Sequence, residues 1–158
     1  MVLQRINGFM GAARMSDLSI IDNEAIKRLE ELILQVEQTD LQTKHCLSGG
    51  VYARTIFIPA GTVLTGASHK KDHLNIVFGD VTVTTDLGME RITGYRVLPT
   101  KAGMKRAGFA HADTYWTTIC ETKNTVIEDI EDEMTDESEK LQTRVLALPA
   151  TEFKELEA

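Results

Sequence analysis

The chain has two cysteines in 158 residues, Cys46 and Cys120. That is too few for a disulfide framework, and it makes a reducing compartment the default. Positive charge is also scarce: 17 Lys and Arg face 24 Asp and Glu, a formal net charge of −7. General nucleic-acid binding rests on clustered cations, so that class is excluded. No apolar run approaches the ~18 residues of a membrane span. Residues 1–17 carry Arg5 and Arg14 but lack the continuous apolar stretch of a signal peptide, and they read as an N-terminal arm. There is no phosphate loop, CxxC pair, HExxH helix or Ser-His-Asp order. The expectation is a soluble, cytoplasmic protein that binds neither nucleic acid nor membrane.

What is present fits one domain. The length allows a core that needs neither disulfide nor structural metal, and 42% hydrophobic with 26% charged residues is ordinary for a globular chain. Asp22 or Asn23 can cap a helix over residues 23–38 whose first turn carries Glu24. Ile26, Leu29, Ile33 and Val36 form one apolar stripe at helical period, widened by Leu32. Lys27, Glu30, Glu31 and Glu37 fall mostly off it. The stripe packs either on its own domain or against a second subunit. Residues 18–50 therefore read as helix and connector, irregular from Thr39 to the Ser48-Gly49-Gly50 turn.

From Val51 the period changes to two. Seven or eight short β runs follow up to Cys120, separated by Pro59-Ala60-Gly61, Gly66, Gly79-Asp80, Asp86-Leu87-Gly88 and Pro99. This spacing predicts a sandwich or barrel over residues 51–122. Residues 123–158 then read as an acidic helix and C-terminal arm, with Thr125 and Glu128 in capping-box register. Val126, Ile127, Ile130 and Met134 make its apolar side. Its acids, from Glu128 to Glu139, read as a solvated face or as a contact for a basic partner. Residues 144–148 read as an extended arm, and Thr151 as the cap of a last turn holding Phe153 and Leu156.

The β core resembles the cupin family, whose fold is a small jelly-roll barrel. Gly61…His69-Lys70-Lys71-Asp72-His73-Leu74-Asn75-Ile76-Val77-Phe78-Gly79-Asp80 follows the outline of the first cupin motif. Gly94…Pro99…Gly103-Met104-Lys105-Arg106 follows that of the second. The resemblance covers about residues 50–120 and looks closest to small cupin-like proteins of tailed phages. It implies a mainly β protein: one cupin-type barrel between an N-terminal amphipathic helix and a C-terminal acidic helix. Metal-binding members offer two histidines two residues apart, an acid, and a histidine in the second motif. Here His69 and His73 are four apart, and Arg106 stands where the second-motif histidine is expected. A guanidinium has no lone pair to give a metal.

Two readings of the site stay open. In one, His69 and His73, with Asp72 or His111, hold a divalent metal such as iron, nickel, zinc or manganese. In the other there is no metal, and polar residues line a barrel mouth where Arg106, His111 and Tyr115, with Lys101 and Lys105 nearby, bind a ligand. Functionally the chain reads as a non-catalytic binding or structural module and a homo-oligomer, and the resemblance to tailed-phage proteins implies a virion component or a host-interaction protein. Its partner would meet the N-terminal or the acidic helix. The alternatives are a metal-dependent cupin enzyme, of dioxygenase or isomerase type, and a metal-free sugar or nucleotide binder.

Overall fold

The structure is a computed structural model, and it describes residues 2–5 and 23–145. In chain order the elements are β1 (Val2–Arg5), α1 (Asn23–Ile33), β2 (Thr43–Ser48), β3 (Val51–Ile58), β4 (Thr62–Thr65), β5 (His73–Thr85) and β6 (Gly88–Thr100). There follow β7 (Ala107–Ala110), β8 (Thr114–Glu121), α2 (Ile127–Met134), a 3₁₀ turn (Ser138–Lys140) and α3 (Gln142–Val145). The architecture is the expected one, mainly β with helices at both ends. Every strand pairing is antiparallel, in the order β1-β4-β7-β5-β8-β3-β2, with β6 on β5.

The organising strand is β5. Residues 74–78 pair with β8, whereas residues 81–83 pair with β7. The change of partner occurs at Gly79-Asp80, which reads as a turn in sequence but lies within one continuous strand. Asp80 O accepts the N–H groups of His111 and Ala112, in the turn from β7 to β8. A Cβ on Gly79 would lie 2.3 Å from Thr114 Oγ1, and φ is +151°, so only glycine fits this approach. β6 likewise runs on through Gly94 and Pro99. Proline is tolerated there because β6 has a free edge among the described residues. At the β2–β3 hairpin Gly49 and Gly50 both take positive φ, which a two-residue primed turn requires.

Ile56, Ile58, Leu64, Val77, Val81, Val83, Ile92 and Trp116 form the buried interior of the barrel. A second cluster joins Tyr52 and Cys120 to Ile130 and Met134, so α2 closes one end. Burying Ile130 completely is worth roughly 1.5–3 kcal/mol.

Several expectations need correction. β2 occupies part of the stretch expected to be irregular. The N-terminal helix stops at Ile33, five residues early, and the Gln38 amide donates to the carbonyls of Ile33 and Val36 beyond its end. Val36 is exposed, and Glu30 is buried on the helix's inner face. α2 starts at Ile127 with no side-chain cap, so the Thr125–Glu128 box does not form. Its acids are not simply a solvated face. Glu131 is buried against Arg144, and Glu133 pairs with Lys71. Asp136 pairs with Lys70, so basic residues of this same chain meet the acidic run. Arg144 and Val145 are helical, not extended. Phe153 and Leu156 lie outside the described residues.

Candidate functional site

The inner face of the barrel is set by strand parity. On β3 the inward set is Tyr52, Arg54, Ile56 and Ile58; on β8 it is Trp116, Thr118 and Cys120. On β5 it is His73, Asn75 and Val77, while Leu74, Ile76 and Phe78 face outward. These strands enclose a cavity of about 70 Å³. Its polar lining is Arg54, His69, His73, Asn75, Thr100, Arg106 and Thr118, and its apolar lining includes Ile56, Leu64, Val83, Met104, Trp116 and Leu141. None of the residues lining it is acidic.

One hydrogen-bonded net fixes much of this lining. Asn75 Nδ2 donates to Thr100 Oγ1 at 2.8 Å, and Asn75 Oδ1 accepts from Trp116 Nε1 and Thr118 Oγ1, both at 2.9 Å. Arg106 joins the net through Nη2 to Thr100 Oγ1 at 3.2 Å, and its Nη1 donates to Thr84 O at 2.7 Å. Three donor nitrogens remain idle. Arg106 Nε is buried with no hydrogen-bond partner, and so are Nε and Nη2 of Arg54. Burial lowers the pKa of both guanidinium groups. An unpaired buried cation is among the costliest groups a fold can carry.

His69 sits in the loop between β4 and β5, and His73 opens β5. Their ring centroids are 4.2 Å apart. The loop is strapped down from two sides. Gly103 N–H donates to His69 O, while Lys70 N–H donates to Met134 O and Ser68 N–H to Glu137. Burial, with the His73 and Arg54 charges beside it, pushes the His69 imidazole down to about 3. Burial also lowers His73, although the Lys71 carbonyl opposes the shift. His73 Nδ1 lies 3.0 Å from that carbonyl, which can only accept, so the ring proton is on Nδ1 and Nε2 keeps its lone pair. Both rings are neutral at pH 7.

Three of the residues singled out in the sequence, His69, His73 and Arg106, thus line one cavity. The others lie elsewhere. His111 is bonded through Nε2 to Thr82 Oγ1 at 2.7 Å and edges onto Phe109. Tyr115 faces outward and packs on Phe57. Asp72 accepts from Lys101 and from Ala102 N–H, and Lys105 is buried among carboxylates. The local basic group of the sequence is therefore dispersed in space. Arg54 was missed, although its parity with Tyr52, Ile56 and Ile58 was a usable signal.

The lining does not fit a divalent metal. Among the described residues no three His, Cys, Asp or Glu side chains converge to hold an ion. Two imidazoles are left facing two guanidinium groups, whose charge opposes a dication. The cavity lining thus carries two cationic groups and no acid.

No family model matches the chain, and no curated protein is similar to it. Among solved structures, a cupin_2 domain of an XRE family transcriptional regulator from Enterobacter cloacae is 10% identical, with 52% of this chain and 98% of that one covered and a TM-score of 0.43. Ectoine synthase from P. lautus is 17% identical over 63% of this chain and 76% of that one, with a TM-score of 0.46. A cupin superfamily protein from Desulfitobacterium hafniense is 13% identical over 77% and 98%, with a TM-score of 0.43. These likenesses concern overall shape alone; they bear neither on ligand or activity nor on a phage origin. The architecture itself is a mainly β, antiparallel eight-stranded sheet with short helices at both ends.

Proposed function

We propose that this protein is a binding module that takes a small molecule into its barrel without a metal. The observation that supports the reading is the cavity itself: it is lined by polar and apolar side chains together, and two of its lining residues, Arg54 and Arg106, carry buried donors without a partner. Its hydroxyls are committed to Asn75 and Arg106, and no carboxylate, serine or cysteine lines it to serve as nucleophile. Holding a ligand is what this lining does best. We place the module in a homo-oligomer. Leu74, Phe78, Tyr95 and Val97 are exposed on the outer face of the β5–β6 ribbon, an apolar surface suited to a second copy.

Native mass spectrometry of protein purified without a histidine tag tests the reading, beside elemental analysis of the same sample. A bound small molecule and no metal is the expected result. Near-stoichiometric metal that disappears in a His69→Ala, His73→Ala variant would overturn it.

A further inference from the structure

We propose that the ligand is a short organic carboxylate, its carboxyl group held by the idle edge of Arg54 and the idle Nε of Arg106. The inference rests on the preceding reading that the cavity receives a small molecule, and it names the chemical class.

The argument begins with which nitrogens are idle. Nε and Nη2 lie on the same edge of a guanidinium and present two parallel N–H bonds. Elsewhere in the molecule that edge does have a partner. Arg91 donates from Nε to Asp80 Oδ1 at 2.9 Å and from Nη2 to Asp80 Oδ2 at 2.7 Å, a two-point grip on a carboxylate. On Arg54 the same two atoms are buried and bond to nothing. On Arg106, Nη1 and Nη2 are held by Thr84 O and Thr100 Oγ1, so the group is oriented and Nε alone is left. Both residues line the same cavity, but the idle nitrogens are closed off from it in this structure: Arg54 reaches a ligand by turning its edge inward, and Arg106 by giving up its bond to Thr100.

The one acid near Arg54 does not satisfy it. Glu131 lines a smaller chamber beside the main cavity, together with Arg54 and His69. Its oxygens already accept from Thr143 Oγ1 at 2.7 Å and from Arg144 Nε at 2.9 Å. The missing counter-charge is therefore external to the described fold.

Size and the apolar wall narrow the class. A cavity of about 70 Å³ admits roughly five non-hydrogen atoms, at ~10–15 Å³ for each water-sized sphere. Inorganic phosphate has that many atoms but would leave Trp116, Ile56, Leu64 and Val83 against oxygen. A carboxylate on a two- or three-carbon chain suits both the cationic and the apolar part of the lining. His73 Nε2, as an acceptor, can take a proton donor on that chain, such as a hydroxyl.

Trp116 is the only tryptophan in the chain and lines the cavity, so its fluorescence reports entry directly. The probes are propionate, lactate, inorganic phosphate and the neutral isostere propionamide, each titrated against the wild type, Arg54→Met and Arg106→Gln. The expected result is saturable binding of propionate or lactate, weakened at least 100-fold in Arg54→Met and at least 10-fold in Arg106→Gln, with propionamide inert. Thermal unfolding without ligand separates a binding role from a structural one. Arg54→Met melts at or above the wild-type temperature if Arg54 is kept for a ligand, and well below it if the residue holds the fold. Binding of phosphate alone, or of propionamide as tightly as propionate, overturns the carboxylate. No response to any probe in a protein that carries a neutral molecule by mass spectrometry overturns the carboxylate and leaves the cavity reading standing. No response and no bound molecule overturns both.

Discussion

Lys105 and Arg54 are both cations sealed within this small fold, and they are treated in opposite ways. The Lys105 side chain is 2% exposed, and its Nζ lies 2.7 Å from Glu30 Oε2 and 2.8 Å from Glu137 Oε1. Lys140 adds a second cation at 3.0 Å from Glu30. The net ties α1, the link before β7 and the segment after α2 into one unit. Arg54, on the inner face of β3, has no such partner. A sequence that can neutralise one buried cation so fully has not failed at the other by accident. The contrast separates an ion pair that holds the fold from a charge held in reserve.

The largest effect is expected at the paired cation. Lys105→Met leaves the buried Glu30 and part-buried Glu137 short of a partner and should cost about 3–5 kcal/mol. Urea unfolding checks it; a loss below 1 kcal/mol would dissolve the contrast. Acid comes next. Burial raises the Glu30 and Glu137 carboxyls, but hydrogen bonds from Lys105, with Lys140 and Ser68, outweigh it and leave both below their ordinary 4.5. A folded-state value below the unfolded one gives stability that is complete above about pH 4.5 and lost as the pH falls through the lowered values. His69, at about 3 against an ordinary 6.5, has the same sign over a wider window. Its contribution is complete above pH 6.5 and declines from there toward pH 3. Unfolding midpoints between pH 7 and 3 should therefore fall in two stages, and His69→Gln should shrink the upper one, leaving the smaller share of His73 and His45, which burial also lowers. A flat profile down to pH 5 would show that His69 is not buried neutral.

At the unpaired cation the sign reverses. Arg54→Met should leave stability unchanged or raise it by about 1–2 kcal/mol, because it removes a buried charge whose Nε and Nη2 no hydrogen bond answers. Calorimetry decides this, and a large loss would return Arg54 to the structural class. The smallest stability effect is expected outside the barrel. Tyr95 is 65% exposed, so Tyr95→Glu should move the melting temperature little while lowering the mass seen by light scattering. An unchanged mass would dismiss the β5–β6 face as a contact between copies.

How far each of these regions could be read in sequence follows from the physics of strands. The β core and its hairpin turns were legible, because Gly49-Gly50 and Asp86-Leu87-Gly88 demand particular backbone angles. β2 was not legible: Lys44, Cys46, Leu47 and Ser48 are all exposed, so no alternation marks it. The Gly79-Asp80 pair reads as a turn, since nothing local reveals that the glycine is there for the close approach of Thr114. The same blindness split β5 and misled the site. His73 and Arg106 were found through motif outline, but His111 is only near Arg106 along the chain. Arg54 lay in a run of β residues where parity with Tyr52 and Ile56 would have turned it inward. Cavities gather residues from distant strands, and a linear motif sees one strand at a time.

The β5–β6 ribbon also sets an order of assembly. It is a single long hairpin, with its strands in register from His73 opposite Thr100 to Thr85 opposite Gly88, so its contacts close over a short loop. Such hairpins form in about 1–10 μs, whereas distant strand pairings in β proteins take milliseconds to seconds. His73, Asn75, Val83 and Thr100 therefore meet early, as one half of the cavity wall. Arg54 and Trp116 arrive with the β3–β8 pairing, which must span most of the barrel's length of chain. The barrel is expected to close around its ligand space last, and the only tryptophan would show that closure as the slow phase in refolding.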